Sequence, residues 1–369
     1  MSKLDNKNLV SDYTESLWGD FKAFIVEYFH DKYVLQDKVF FTWQYCRNPF
    51  VIKNTSVKVL LLKDRFLGYL GFIPVRLKVF DKIFNRSALL CNLMIDKSCR
   101  ALGLGSYLIR ELEQEFTVLF GTGYTLKTGP MYEKLGDWKL MGNLNRYIKI
   151  IDKKKVNLLL RVEVAEDKRA DVVNSDISLN IKSVEHFTDD IKKFWKKISF
   201  KYPIAVQRDV GYLNWRYAEH PFFCYHILVA KQDSEIKGYI IFRITKSDGC
   251  KTTCLIGHIL DLISTDDAVS PLVAEAEKIM VKEKVDLIDY FSTGCFHHDD
   301  FIKLGYHDDT KAPYDKMPMY FNPVDLQKTN KINVLVYYGK ASQYKEKLCD
   351  INNWYITKGD GDKDRPNPH

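Results

Sequence analysis

Residues 92–116 read NLMIDKSCRALGLGSYLIRELEQEF and decide the fold that the sequence predicts. The segment 92–95 continues the apolar run 87–91, which predicts the end of a buried strand. Residues 100–105 form a loop with two glycines. From residue 106 to 116 apolar side chains recur at the one-face spacing of an amphipathic helix. We expect Glu111, Glu113 and Glu115 on its water-facing side.

A strand that leads through a glycine loop into a helix is suited to bind an anion. The first helical turn leaves backbone N–H groups unpaired and carries the positive end of the helix dipole. Glycine lets the backbone approach the anion closely, and Arg100 adds a fixed positive charge that suits phosphate oxygens. The spacing matches neither a P-loop nor the glycine fingerprint of dinucleotide-binding folds.

The spacing Arg-x-x-Gly-x-Gly, five residues after Ile95, resembles the pyrophosphate-binding motif of the GCN5-related N-acetyltransferases, the GNAT superfamily. The resemblance implies acyl-CoA as co-substrate and no metal, with the strand opening at a bulge to take the pantetheine arm. It implies the following cofactor-binding residues: Leu93, Met94, Ile95, Arg100, Ala101, Leu102, Gly103, Leu104, Gly105 and Ser106. An ordinary tight strand-to-helix turn is the alternative.

Composition limits the other classes of function. The 369 residues are enough for two domains, and a net charge of +7 favours anionic partners. There is no long Lys/Arg run or zinc-finger spacing, so we expect no nucleic-acid partner. The polar N-terminus and the lack of an 18-residue apolar run predict a cytoplasmic protein with no membrane partner. The eight cysteines form no CxxC pair and are expected to be free thiols.

The second half repeats the order of motifs in the first half, with Trp215 answering Trp43 and a Lys-Leu-Gly segment in each half. We therefore predict an α/β (α+β) fold of two tandem GNAT-like domains, each a mixed, mostly antiparallel sheet flanked by helices. The predicted domains are 1–151 with the acyl-CoA loop, 152–322 with a degenerate copy, and a C-terminal extension 323–369. In the second copy, Asp266 and Asp267 replace the glycine loop and would repel a pyrophosphate.

Acyl transfer from a thioester to an amine needs a polarised carbonyl and a proton for the leaving thiolate. The resemblance implies that a backbone N–H near residues 93–95 polarises the carbonyl. It also implies that Tyr132, in a Tyr-x-Lys-x-Gly context, protonates the sulfur. Asn92 lies where members of the superfamily often have a carboxylate, and it cannot remove a proton. Asp96 and Ser87 are the other catalytic candidates near this strand.

The base is left open by the sequence. His220, His297 and His298 are possible bases, and a mechanism without a dedicated base is an alternative. The tail sequence Asp-x-Asp-x-Asp from residue 360 lacks the glycine and the closing glutamate of a calcium loop. It could instead receive a substrate amine or hydroxyls, or it could be a solvated turn at a frayed terminus.

The predicted substrate-binding residues are Asn92, Trp215, Tyr217, His220 and Asp362. The two-copy organisation also resembles bacterial N-acyltransferases of the anthrose-pathway type, which act on nucleotide-linked amino sugars. That resemblance implies acyl transfer to a dTDP-linked amino sugar in surface polysaccharide biosynthesis. Another small-molecule or peptide amine, and a non-catalytic acyl-CoA-binding module, are the alternatives. The acyl chain and the oligomeric state do not follow from the sequence.

Overall fold

The computed structural model describes residues 9–29, 33–125, 128–161, 163, 179–248, 252–327 and 331–366. These residues form two mixed sheets flanked by helices, which confirms the predicted fold class. None of the helices in this part of the chain combines the length and the apolar character needed to cross a membrane.

The strands of the described residues follow each other along the chain in this order: β1 (Val10–Asp12), β2 (Val57–Leu62), β3 (Arg65–Val79), β4 (Lys82–Ile95), β5 (Val118–Thr122), β6 (Trp138–Asn143), β7 (Asn145–Ile150), β8 (Asn180–Val184), β9 (Ile204–Val206), β10 (His226–Gln232), β11 (Glu235–Lys246), β12 (Leu255–Ser264), β13 (Leu287–Ser292), β14 (His307–Asp308), β15 (Asn333–Tyr337) and β16 (Trp354–Tyr355).

The α-helices of the described residues are α1 (Trp18–Tyr28), α2 (Lys38–Cys46), α3 (Gly105–Glu115), α4 (Gly129–Lys134), α5 (Lys153–Leu160), α6 (Asp190–Ile198), α7 (Val210–Leu213), α8 (Asp266–Lys282), α9 (His298–Lys303) and α10 (Lys345–Leu348). A 3₁₀ helix, Lys97–Leu102, connects β4 to α3. A π-helix, Asn214–Ala218, directly follows α7.

The first sheet has the strand order β1-β2-β3-β4-β5-β15-β6. In addition, β9 pairs with the C-terminal end of β3, and β16 pairs with β9. The second sheet has the order β14-β7-β13-β12-β11-β10-β8. In each sheet a long antiparallel pair leads through a helix into a parallel strand, β3-β4-α3-β5 in one and β11-β12-α8-β13 in the other. This connection places a helix start beside a strand end in both sheets.

The same kind of turn precedes the first strand of each long pair. Lys63 and Asp64 have φ values of 48° and 65°, and they join β2 to β3 as a two-residue hairpin loop. Asp233 and Ser234, at 48° and 68°, join β10 to β11 in the same way. Two successive residues with positive φ are typical of a type I′ turn, whose twist matches that of the flanking strands. Both loops are therefore tight hairpin turns.

The two sheets exchange strands across the predicted domain boundaries. β7 precedes residue 151 but pairs with β13 and β14 of the second sheet. β15 follows residue 322 but inserts between β5 and β6 of the first sheet. Each sheet therefore includes at least one strand from beyond a predicted boundary, and the boundaries themselves remain predictions.

The helix predicted from residue 106 to 116 is α3, and its apolar face packs on the first sheet with Leu108, Ile109 and Leu112 buried. Glu113 does not face water as expected. Its side chain is buried, and its carboxylate accepts a 2.7 Å hydrogen bond from the indole nitrogen of Trp138. The spacing of charges could not show this, because the partner lies on a later strand.

Residues 354–366, called the tail below, are largely buried. β16 pairs with β9 in parallel, and Thr357 forms an isolated bridge with Ser292 at the end of β13. A Cβ atom on Gly359 would lie 2.7 Å from the carbonyl oxygen of Leu260 on β12. β12 and β13 pair only as far as residues 259 and 290. The contacts of Thr357 and Gly359 place residues 355–360 in the gap where these strands separate. The tail is thus docked and not frayed.

Candidate functional site

Strand β4 separates from its parallel neighbour β5. β4 pairs with β5 only from Ser87 to Leu90, whereas it pairs with β3 as far as Ile95. The register with β3 shifts between Cys91 and Met94, and Asn92 lies between them with a φ of 42°. An extra residue at such a shift is a β-bulge, which bends the strand. The opening strand implied by the family resemblance is therefore present.

The opening forms a cleft of about 190 Å³. Its walls come from β4, from β5 and the loop that follows it, from α4, from β15 and from the tail. Its lining residues include Asn92, Leu93, Met94, Gly121, Thr122, Gly123, Tyr132, Leu335, Asp362 and Lys363. Among the predicted site residues, Asn92, Leu93, Met94, Tyr132 and Asp362 thus meet in one cleft.

The glycine loop lies directly beside this cleft. Gly103 has a φ of 70°, and the space around its missing side chain is open. A Cβ atom on Gly105, the first residue of α3, would lie 3.5 Å from the side chain of Ile95 and 3.8 Å from that of Leu93. Ser106 closes the turn by donating a 2.7 Å hydrogen bond to the carbonyl oxygen of Gly103. The start of α3 therefore contacts the strand that lines the cleft.

Arg100 is held at the end of the same strand. Its Nε donates a 3.0 Å hydrogen bond to the carbonyl oxygen of Ile95, and its guanidinium lies 5.7 Å from the ring centre of Tyr28. The residue is exposed and lies on the 3₁₀ helix that also contains Ala101 and Leu102. Leu102 is more than half exposed. An exposed cation on a fixed anchor, next to a helix start, is suited to an anion.

Two of the predicted catalytic residues have structural roles instead. The Oδ1 of Asp96 accepts hydrogen bonds from the backbone and hydroxyl of Ser98, and its Oδ2 is bound by Arg65 at 3.1 Å. The hydrogen bonds from Ser98 lower the pKa of Asp96 to about 2. Asp96 therefore caps the 3₁₀ helix. Ser87 is fully buried, and its hydroxyl donates to the carbonyl oxygen of Phe84. Neither side chain lines the cleft.

Tyr132 lies on α4 and packs against Trp138, with 4.8 Å between the ring centres. Only 5% of the residue is exposed, and its hydroxyl makes no hydrogen bond with the described residues. Burial raises the pKa of Tyr132, so the hydroxyl stays protonated at neutral pH. A protonated hydroxyl without a partner, at the wall of a cleft, can donate a proton to a bound group.

Asn92 joins the cleft to the tail. Its Oδ1 accepts hydrogen bonds from Tyr33 at 3.0 Å and from Nη1 of Arg365 at 2.7 Å, and its Nδ2 donates to the hydroxyl of Tyr45. The same Arg365 Nη1 donates to Oδ2 of Asp362 at 2.9 Å. The other carboxylate oxygen, Oδ1, is buried and accepts no hydrogen bond from the described residues. Nζ of Lys363 lies 3.6 Å from this oxygen, so Oδ1 faces a cation while accepting no hydrogen bond from the described residues.

Trp215, Tyr217 and His220, the predicted substrate-binding residues of the second half, lie outside this cleft. Trp215 stacks on Trp43 at 5.1 Å, and each indole donates a hydrogen bond to the other's backbone carbonyl, at 2.9 and 3.0 Å. Tyr217 is buried beneath Gly359 of the tail. The Nδ1 of His220 accepts hydrogen bonds from two backbone N–H groups, and burial lowers the pKa of His220 to about 3. These side chains form the contact between the halves and do not line the cleft.

The other candidate bases also lie elsewhere. His297 contacts the hydroxyl of Tyr202, and burial lowers the pKa of His297 to about 4. His298 contacts the hydroxyl of Tyr147. Neither histidine lines the cleft. Within the described ranges, no group of three or more His, Cys, Asp or Glu side chains could hold a metal ion.

Each aspartate of the acidic tail motif binds a different arginine. Asp360 is bound by Arg208 at 2.6 Å, and Asp364 accepts from Nε of Arg243 at 2.8 Å. Both carboxylates are therefore neutralised inside the protein, and only Asp362 among the three lines the cleft. Sequence reasoning missed Tyr33, Tyr45, Lys363 and Arg365. The alternating charges of residues 358–365 were the available signal, because a charged segment between buried aromatic residues needs internal partners.

No protein-family model matches this sequence, and no curated protein matches it. The structure, however, is similar to several solved structures. One is N-myristoyltransferase from Saccharomyces cerevisiae, solved with bound myristoyl-CoA and inhibitors. The TM-score is 0.55 at 12% identity, and the match covers 89% of this chain and 79% of that chain.

Two further similar structures are bacterial. A GCN5-related N-acetyltransferase from Anabaena variabilis matches with a TM-score of 0.53 at 11% identity. A conserved protein from Enterococcus faecalis, described as a probable N-acyltransferase, matches with a TM-score of 0.56 at 10% identity. Each match covers 89% of this chain and 71% of the other. At these identities the likeness shows only that this chain shares the fold of these structures.

Proposed function

We propose that this chain is an acyl-CoA-dependent N-acyltransferase and that the cleft between β4 and β5 holds the acyl donor. The observation that carries the proposal is the separation of the two strands after Leu90, next to the start of α3. A strand edge without a partner can pair with an extended chain by backbone hydrogen bonds. The two amide groups of a pantetheine arm are suited to such pairing.

The glycine loop is the proposed site of the pyrophosphate. Gly103 leaves open space beside the first turn of α3, and Arg100 is anchored next to it. Helix N-termini attract phosphate because their N–H groups and the helix dipole are both positive there. The acidic residues Asp266 and Asp267 occupy the first turn of α8 in the second sheet. That helix start therefore repels an anion, and the tail fills the strand gap beside it.

The proposed reaction is attack of a neutral amine on the thioester carbonyl carbon. The carbon–sulfur bond breaks, and the products are an amide and the free thiol of coenzyme A. A backbone N–H near Leu93 polarises the carbonyl. The amine gives up one proton to Oδ1 of Asp362, and the thiolate takes up one proton from Tyr132. Proton return from the carboxylic acid to the tyrosinate through solvent restores both groups.

The proposed acceptor is the amine of an amino sugar carried by a nucleotide, such as a dTDP-amino sugar of surface polysaccharide biosynthesis. The net charge of +7 favours such an anionic acceptor. Asp362 provides a carboxylate at which an amine can be held. An acceptor panel of nucleotide amino sugars, free amino sugars, amino acids and peptide amines, followed by release of the coenzyme A thiol, tests this choice.

Calorimetric titration of coenzyme A and acetyl-CoA tests the donor site. The informative pair is Gly103→Asp against Gly103→Asn, because both side chains tolerate positive φ and both project into open space. They differ only by one negative charge beside the proposed pyrophosphate. We expect the asparagine variant to bind like wild type, and the aspartate variant to bind about tenfold more weakly.

Two results would contradict the proposal. If wild type binds neither ligand, the glycine loop is only a turn and the enzyme assignment fails. If both variants bind equally well, the pyrophosphate lies elsewhere. Arg100→Ala provides a second, independent loss of positive charge at the loop, and it should also weaken binding.

A further inference from the structure

A second cavity, of about 100 Å³, adjoins the donor cleft. Lys363 of the tail lines both spaces, so the tail forms the wall between them. Four cationic side chains line the second cavity, and none of its lining residues is acidic. The cations are Arg243, Lys358, Lys363 and Arg365, accompanied by His258 and Thr245.

Lys358 carries a buried charge that the protein does not neutralise by contact. The residue is 4% exposed, and no carboxylate among the described residues lies within 4 Å of its Nζ. The neighbours of the ammonium are the rings of Phe291 and Tyr320, at 5.4 and 5.8 Å. Burial lowers the pKa of Lys358. Burying an unpaired ammonium is unfavourable, and an anion bound in the cavity would remove that penalty.

Arg365 offers a second free donor to the same cavity. Its Nη1 is already bound to Asp362 and Asn92, but its buried Nε has no hydrogen-bond partner among the described residues. Arg243, in contrast, is held by Asp364 through Nε and by the hydroxyl of Thr245. Nζ of Lys363 lies 3.6 Å from Oδ1 of Asp362 and is paired with that carboxylate. Among the four cations, Nζ of Lys358 and Nε of Arg365 are therefore the donors considered for a ligand.

We propose that this cavity binds an anionic group of the acceptor, a phosphate or a carboxylate, through Lys358 and Arg365. The inference rests on the proposed function, and it specifies the class of amine that this function uses. A water molecule occupies about 30 Å³ of liquid volume, so the cavity is large enough for either group. Arg365 lines this cavity while it holds Asp362, which lines the donor cleft. One ion pair thus connects the sites of the acceptor's anion and its amine.

The test uses Lys358→Met, which keeps the length of the side chain and removes the charge. Because this charge is unpaired, we expect the variant to fold as stably as wild type. The matched control is Lys78→Met, which removes another buried lysine whose Nζ donates to the carbonyl oxygen of Tyr202 and which lines neither space. Inorganic phosphate, pyrophosphate and succinate are titrated into each protein in low-salt buffer, with and without saturating coenzyme A.

We expect at least one of these anions to bind wild type and the Lys78 variant equally, and the Lys358 variant at least about tenfold more weakly. Preference for pyrophosphate or phosphate indicates a phosphorylated acceptor, and preference for succinate indicates a carboxylate. Equal binding to wild type and Lys358→Met, or no anion binding to wild type, overturns the inference. Anion binding by a protein that does not bind coenzyme A supports the cavity and refutes the proposed function. Coenzyme A binding without anion binding supports the proposed function and refutes the anion site in the cavity.

Discussion

Replacing Asp364 by asparagine should release the tail from the second half of the protein. The carboxylate is 2% exposed, and it accepts hydrogen bonds from Nε of Arg243 at 2.8 Å and from the hydroxyl of Tyr225 at 2.6 Å. Arg216 lies 3.8 Å away. Burial alone would raise the pKa of Asp364, but these two arginines hold it well below its usual range. The carboxylate is therefore ionised, and it balances two buried cations.

The magnitude follows from what the substitution leaves behind. Removing one partner of a buried ion pair costs about 3–5 kcal/mol, because the other charge stays buried without compensation. We expect the lower end of this range, since the asparagine oxygen still accepts one hydrogen bond. Glu235→Gln is the matched control. Its carboxylate binds Lys197 at 3.0 Å, but both side chains are well exposed, and such pairs contribute about 0–1 kcal/mol.

Two measurements at pH 7 check the prediction. Urea-induced unfolding should give a clearly lower free energy of unfolding for Asp364→Asn than for Glu235→Gln. Hydrogen exchange followed by mass spectrometry should show faster exchange in residues 354–366 of the Asp364 variant. If the variant matches the control in both measurements, the ion pairs do not hold the tail, and the structural account of Asp362 in the cleft loses its basis.

Two further predictions concern the cleft and its edge. Tyr132→Phe should lower kcat by about 10²–10⁴-fold with little change in acyl-CoA binding, because it removes only the proposed proton donor; steady-state kinetics with the best acceptor measures this, and an unchanged kcat would refute the assignment. Asp96→Asn should make the free energy of unfolding depend less on pH under acidic conditions. Because the pKa of Asp96 is lowered to about 2 from an ordinary value near 3.9, its contribution is present above pH ~4 and is lost as the pH falls towards 2. Unfolding free energies of variant and wild type should therefore converge across that window, and a constant difference would contradict the capping role.

The sequence was sufficient for elements whose cause is local. An apolar run and one-face spacing predicted β4 and α3, and the family resemblance placed the pantetheine arm at the strand residues around Leu93. The short motif Tyr-x-Lys-x-Gly singled out Tyr132, which lies on α4. Gly136 follows this helix with a φ of 76°. These features depend on residues that are neighbours in sequence, so a linear pattern contains them.

The sequence was insufficient where the partner is distant. Trp215 is an aromatic residue in a repeated motif, and the motif does not reveal that its repeat, Trp43, is also its hydrogen-bond partner. Asp96 is a carboxylate next to the strand end, and only the backbone of the following turn shows that it is a cap. In the same way, no local pattern places β7 in the second sheet or β15 in the first, because strand pairing is decided by the assembled fold.

The tail explains why only one of the two strand gaps is an open cleft. In the second sheet, residues 355–360 fill the space where β12 and β13 separate, and Asp360 is fixed there by Arg208. The chain then continues to the first sheet, where Asp362 and Lys363 line the gap between β4 and β5 without filling it. The same segment closes one gap and supplies charged groups to the other. Residues 1–151 alone would lack these groups and β15, so the cleft requires the whole described chain to fold.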